Sequence, residues 1–348
     1  MFDLNALLKT AIDEKASDVH LSVGCAPRIR VHGSLCTTNF QVMTASDTLE
    51  VLLGIVNQDQ RECFERDGEI DLSISIPSIG RFRVNAYKQR SSVALAFRLV
   101  DMKLPDPEQL MIPEAVLNIC NYSKGLVLVT GPSGSGKSTL LAALVHQINQ
   151  TRDTNIITLE DPIEYLHQHQ KSMVNQREIG LDAKSYRKAL KAALREDPDV
   201  LQISHLEDFE VISATLLAVE TGKLVFASMY TQGAVDTLMA LMEAFPSEQQ
   251  KQAGNRIANS LCAIVSRQLC DASDGKGRIP AYEVLIADST IRSLIREGSF
   301  EQIKEVMSTS KTHGMCTMDQ YLTELYQEGK ISKSTAICQS TDPENLSL

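Results

Sequence analysis

The sequence predicts an α/β protein of two domains, the second built on a parallel sheet. Three observations lead there. The chain has 348 residues, 43% hydrophobic and 22% charged, which is ordinary globular material and long enough for about two domains. Its pattern shifts across a stretch carrying Pro105, Pro107 and Pro113, residues that interrupt regular structure and suit a semi-rigid linker. Beyond that stretch, Gly125-Leu126-Val127-Leu128-Val129 reads as a buried strand, a glycine-rich loop follows, and Thr139 to Leu144 is a strong helix start.

Taken in order, residues 1–98 alternate short strands with helical stretches. Strands are expected at Asp18–Ser22, Arg28–Val31, Arg81–Tyr87 and Val93–Arg98, with one helix-like segment from Ser46 to Phe64. Residues 99–113 form the linker, and 114–348 the second domain, whose C-terminal part from about 272 reads as helical. There, Met315, Met318, Leu322 and Leu325 fall at core positions of a C-terminal helix.

The loop itself reads Gly131-Pro132-Ser133-Gly134-Ser135-Gly136-Lys137-Ser138, followed by Thr139, a complete GxxxxGKS phosphate-binding loop. Its glycines let successive backbone N–H groups turn inward toward phosphate oxygens. The next helix aims its positive end at the same anion. Lys137 is placed to reach the β- and γ-phosphates, and the Ser138 hydroxyl to take one position on Mg²⁺, so ATP and Mg²⁺ are the expected ligands. Downstream, Glu160, Asp161 and Glu164 gather at the end of the strand Ile156–Leu159, the edge where parallel sheets place their sites. Such carboxylates either orient an attacking water or form a solvated turn around Pro162.

Other classes are disfavoured. A formal charge of −10, with no basic and aromatic-rich stretch, argues against nucleic acid as a partner. No apolar run approaches the ~20 residues of a membrane span, and Asp3, Asp13 and Glu14 do not suit a signal peptide. The eight cysteines show no CxxC pair and read as reduced cytosolic thiols.

Several segments together carry a resemblance: SDVHLS at 17–22, RFRVNAY at 81–87, the loop region at 125–139, ITLEDPIEY at 157–165, NQREIG at 175–180, ALREDPD at 193–199 and ETGKLVF at 220–226. In these the chain resembles the type II/type IV secretion ATPase superfamily, specifically the PilT family of type IV pilus retraction motors; TIRSLIRE at 290–297 is similar to the signature of the retraction branch. The resemblance implies a PAS-like N-terminal domain, a RecA-like P-loop ATPase domain and a homo-hexameric ring. It also implies work in the cytoplasm, peripherally associated with the inner membrane, on a pilus platform protein and beside a second pilus ATPase. It makes Glu164 the general base and brings Arg83 and Arg98 to the nucleotide phosphates, with Arg81 a less certain companion. Read from the residues alone, those arginines are equally polar positions on exposed strand faces. Arg177 and Arg195 sit inside family motifs, with structural or intersubunit roles favoured.

Two departures stand beside the matches. Where the family ends a strand in Gly-Glu, with the glutamate holding Mg²⁺ through water, this chain reads Val200-Leu201-Gln202-Ile203-Ser204-His205. Imidazole is a poor partner for Mg²⁺. Glu207 would face the same side of a continuing strand about 6.6 Å further on, and Asp208 matches a family aspartate. Tyr230 takes the place of the family histidine, and Lys223 that of another; a neutral phenol is no cationic sensor of the γ-phosphate. Losing one acid–base group slows turnover by about 10²–10⁴. The leading expectation is therefore a hexameric retraction ATPase, attenuated at these two positions. The alternative is a weakly or non-hydrolysing ATP-binding regulatory subunit of a pilus motor.

Overall fold

The computed structural model describes residues 2–31, 33–77, 79–100, 104–206, 208–310, 314–344 and 346. It divides into two compact units, Met1–Lys103 with Glu164–Leu166, and Leu104–Ile163 with His167–Leu348.

In the first unit, the helix α1 (Leu4–Asp13) precedes β1 (Asp18–Leu21), β2 (Arg28–Val31) and β3 (Ser34–Thr37); then come α2 (Ala45–Ile55), α3 (Gln58–Asp67), β4 (Glu69–Ile76), β5 (Gly80–Gln89) and β6 (Ser92–Leu99). Among the described residues the strands form an antiparallel sheet in the order β3-β2-β1-β6-β5-β4. Alternation decides its faces. Val19, Leu21, Ile29, Phe82, Val84, Val93, Leu95 and Phe97 point into one core with Leu7, Leu8, Leu52 and Phe64 from the helices. The opposite face carries the intervening polar residues.

The single helix expected over Ser46–Phe64 is two. Asn57 ends the first by starting the second: its side chain accepts from the Gln60 amide at 2.9 Å while Gln60 accepts from the Asn57 amide at 3.0 Å. This reciprocal cap satisfies amides that a continuing helix would have used otherwise. β3 and β4 were not among the expected strands. The side chains of β3 are all exposed, so no apolar alternation marks it.

The second unit runs α4 (Glu114–Asn118), β7 (Gly125–Thr130), α5 (Lys137–Thr151), β8 (Asn155–Glu160), β9 (Met173–Glu178), α6 (Tyr186–Ala193), β10 (Val200–Ile203), α7 (Phe209–Glu220) and β11 (Leu224–Met229). It continues through α8 (Ala234–Glu243), α9 (Gln250–Ser260), β12 (Leu261–Asp271), β13 (Arg278–Ile286), α10 (Ser289–Glu297), α11 (Glu301–Thr309), α12 (Met318–Gln327) and α13 (Lys333–Gln339). The sheet order is β13-β12-β7-β11-β10-β8-β9, with every pair parallel except β12 and β13. β7, β10 and β11 are buried along their whole length, as a sheet covered on both faces requires. The stretch from about 272, expected to be helical, opens with β13; its helices begin only at Ser289 because the hairpin with β12 first closes the sheet.

Two apolar layers flank the sheet. One joins α5 to Val127, Val129 and Phe226, the other joins α6 to α10 to Leu128, Ile203 and Val225. Met315 lies in the second layer; Met318, Leu322 and Leu325 form a smaller cluster with Cys270 and Ile331, so all four are buried, but Met315 precedes α12 and is not part of the helix. Glu283 on β13 is buried too. One of its oxygens accepts from the Ala234 amide at 2.6 Å and the other from the Met318 amide at 3.0 Å. Burial pushes its carboxyl above the usual range, against the pull of these two amides. The eight cysteines are unbridged.

Candidate active site: a phosphate cradle at the edge of the parallel sheet

Because their strands are parallel, the ends of β7, β8, β10 and β11 open on one edge of the sheet. The loop Gly131–Ser138 follows β7 on that edge. Gly131, Gly134 and Gly136 have φ of 141°, 77° and 88°, conformations that side-chain-bearing residues avoid. Ser133 and Gly134 form the exposed tip, whereas Ser135 is buried. Space is as restrictive as torsion at two of these glycines. A Cβ on Gly131 would lie 2.3 Å from the Arg267 carbonyl oxygen, and one on Gly136 would lie 2.9 Å from Arg267 Nη1.

Arg267 was not singled out from the sequence. It follows Ser266, which pairs with Thr130 at the end of β7, so the register sets Arg267 directly behind the loop. Only 3% exposed, it donates from Nη1 to the Gly136 carbonyl at 2.9 Å, an oxygen that also accepts the Leu140 amide of α5. Its guanidinium lies 5.6 Å from the centre of the Tyr282 ring, and the Tyr282 hydroxyl donates to the Leu110 carbonyl at 2.8 Å. A fixed cation thus braces the floor of the cradle. The signal was present as an arginine inside the apolar run Leu261–Cys270.

Lys137 opens α5 and is 8% exposed. Its Nζ donates to the carbonyls of Gly131 at 2.8 Å and Pro132 at 2.9 Å, and lies 4.3 Å from the centre of the Tyr230 ring. Ser138 and Thr139 follow in the first turn of α5.

The two departures meet each other. β10 ends at Ile203, so His205 lies beyond the strand, which the described residues 204–206 do not continue. Glu207 itself lies outside the described residues. Asp208 caps α7, accepting the Val211 amide at 2.8 Å. His205 and Tyr230 stand 4.5 Å apart, centre to centre, at 52°. Burial and then the charge of Lys137 hold the His205 imidazole below its ordinary pKa, against a hydrogen bond with the Ser228 backbone. His205 is therefore neutral near pH 7 and does not act as a cation toward a metal.

The carboxylates separate by environment. Glu160 is buried and accepts from Thr158 Oγ1 at 2.5 Å and Gln176 Nε2 at 2.9 Å, whereas Asp161 and Glu164 are exposed. Arg83 and Arg98 are exposed cross-strand partners in the first unit, and Asp18 is the next partner of Arg98 in the same row. Arg98 Nε donates to Asp18 at 2.9 Å. Burial raises the Asp18 carboxyl, but hydrogen bonds from Ser17 and Arg98 outweigh it and hold the pKa low. Arg81 donates to Ser75 at 3.2 Å. Arg177 pairs with Glu196 at 2.8 Å, a brace within the chain, and Arg195 is exposed. In α10, Ile291, Leu294 and Ile295 are buried, while Arg292 donates to the carbonyls of Ala287, Ala258 and Asn259 and Arg296 to the Asn259 side chain. The basic edge of this helix thus closes the end of α9.

The cradle fits a nucleoside polyphosphate, since its inward-turning glycines leave no room for a Cβ at Gly131 or Gly136 and Lys137 and Ser138 start the helix. Among the described residues no group of three His, Cys, Asp or Glu side chains could hold a metal by itself. An ion completed by phosphate and water could take the Ser138 hydroxyl as its protein ligand.

A family model described as type II/IV secretion system protein matches residues 2–334. The chain belongs to that family. Within the type II/IV secretion family it is 38% identical over 347 residues to the twitching motility protein of Neisseria gonorrhoeae, covering 100% of this chain and 93% of that one. It is 38% identical over 344 residues to the type IV pilus retraction ATPase PilT of Pseudomonas aeruginosa, covering 99% and 100%. A solved structure of the pilus retraction motor PilT with bound ADP superposes with a TM-score of 0.91 at 41% identity, covering 99% of each chain. The fold of two α/β parts, with a mainly parallel second sheet, is the PilT fold.

Proposed function

We propose that the protein is a PilT-type motor ATPase that binds and hydrolyses MgATP and so powers retraction of a type IV pilus. One observation carries this reading. The whole chain aligns with a retraction ATPase while the cradle keeps its glycine torsions, its lysine and its hydroxyl. That agreement favours the motor over the non-hydrolysing regulatory subunit.

In this reading the loop amides and Lys137 bind the β- and γ-phosphates, and Ser138 takes one position on Mg²⁺. The ion supplies charge neutralisation on the phosphate oxygens. Glu164, with Glu160 and Asp161 close in sequence, orients or deprotonates the attacking water. Arg83 and Arg98 bring positive charge to the phosphates. Neither His205 nor Tyr230 supplies a carboxylate or a cation near pH 7, so turnover is slower than in a site holding both. The protein works as a homo-hexameric ring in the cytoplasm, against an inner-membrane platform protein and beside a second pilus ATPase, without nucleic acid. No helix among the described residues is long and apolar enough to cross a membrane.

Phosphate release by the purified protein, beside Lys137→Ala, tests the reading. We expect turnover that falls at least about 100-fold in the variant. Absence of lysine-dependent turnover sinks the motor.

A further inference from the structure

Tyr230 is 59% exposed, yet its ring lies across a lysine that is 8% exposed. The exposed phenol is therefore a cover over the buried ammonium. Among the described residues, the Gly131 carbonyl, the Pro132 carbonyl and the Tyr230 ring face each help to hold Lys137 Nζ in this position. A ring centre 4.3 Å from an ammonium is well within the ~6 Å over which the quadrupole of an aromatic face attracts a cation. The ring has its own support. His205, 4.5 Å away, packs against it, and the turn behind both is tied down by the Leu206 amide on the Ser228 carbonyl at 3.0 Å and by the Ser228 hydroxyl on the Ser204 carbonyl.

We propose that Tyr230, backed by His205, is a positioning residue that holds Lys137 down on its own loop, so that nucleotide phosphates win this lysine only in competition with an aromatic face. The inference rests on the nucleotide-binding part of the function above, not on hydrolysis. An ammonium cannot lie on the ring and saturate phosphate oxygens with its three donors in the same place. Whatever the ring contributes to holding Lys137 is subtracted from nucleotide affinity. The substitutions that seemed to remove two polar groups have thereby installed a different device, one that sets how much nucleotide is needed to fill the site.

The measurement is equilibrium titration of the full-length protein with N-methylanthraniloyl-ADP. Tyr230→Leu, which keeps bulk but has no π face, is expected to tighten binding about fivefold, and Tyr230→Phe, which keeps the face, to stay within about twofold of the parent. His205→Ala should shift affinity in the same direction by a smaller factor. Combined with Lys137→Ala, Tyr230→Leu should give no gain, since the lysine through which it acts is gone. Thermal melting of each variant checks folding, which an exposed side chain leaves intact. Unchanged or weaker binding by Tyr230→Leu, or an equal gain in Tyr230→Phe, overturns the proposal. Failure of the parent to bind the probe at all would instead overturn the nucleotide-site reading.

Discussion

The phosphate cradle and the ends of β10 and β11 share one edge of one sheet but are made of different material. Backbone makes the cradle: positive φ at Gly131, Gly134 and Gly136, and a would-be Cβ on Gly131 only 2.3 Å from a carbonyl oxygen. Side chains make the other region, with His205 and Tyr230 projecting from turns beyond their strands. A site built from main-chain torsions permits few residues at each position. A site built from projecting side chains accepts a different chemistry wherever the new groups pack against each other, as these two rings do.

Gly131→Ala gives the largest expected effect. It forces a Cβ into the Arg267 carbonyl at a φ of 141°, and we expect about 3 kcal/mol of destabilisation together with loss of nucleotide binding of at least about 100-fold. Denaturant melts and nucleotide titration measure the two; wild-type values in both would show that the cradle is more pliable than its geometry. Next comes Arg267→Met, which removes the donor to Gly136 and the contact with Tyr282, at about 2–3 kcal/mol. Arg267→Lys should recover little of this, because an ammonium lacks the planar fork that spans a carbonyl and a ring. Full recovery would reduce the brace to a simple charge.

The smallest effect concerns the flank of α5. Burial, then the neighbouring His146, lowers the His167 pKa to about 4. The rings lie 6.4 Å apart. Since the unfolded histidine takes its proton near pH 6.5, the unfolded state binds more protons between those values. Stability is thus full above pH 6.5 and declines as pH falls toward 4. His167→Gln should flatten that slope in urea melts between pH 7 and 4, whereas an unchanged slope would assign it to other groups.

What could be read from the sequence follows the same division. The loop was legible because its glycine spacing, lysine and flanking hydrophobic run are each required by backbone geometry. The break between α2 and α3 was not, because Asn57 and Gln60 look like ordinary polar residues of one helix until they cap each other. Arg267 was hidden for a related reason: its partners, Gly136 and Tyr282, come from distant parts of the chain and only the register of β12 on β7 brings them together. The strand does not continue beyond Ile203 because the Ser204 amide bonds to Leu159 of β8 and the Leu206 amide to Ser228 of β11, whereas residues two apart in one strand would face the same neighbour. The mutual packing of His205 and Tyr230 lies beyond any local pattern, since each was visible only as the loss of an expected residue.

Glu283 has one more consequence. A single carboxylate clasps the first amides of α8 and α12, so those helices share an anchorage. Slack introduced at one must be felt at the other. The turn that carries Tyr230 leads straight into α8, and the covering ring over Lys137 is therefore moored, through one side chain, to the C-terminal helices of the molecule.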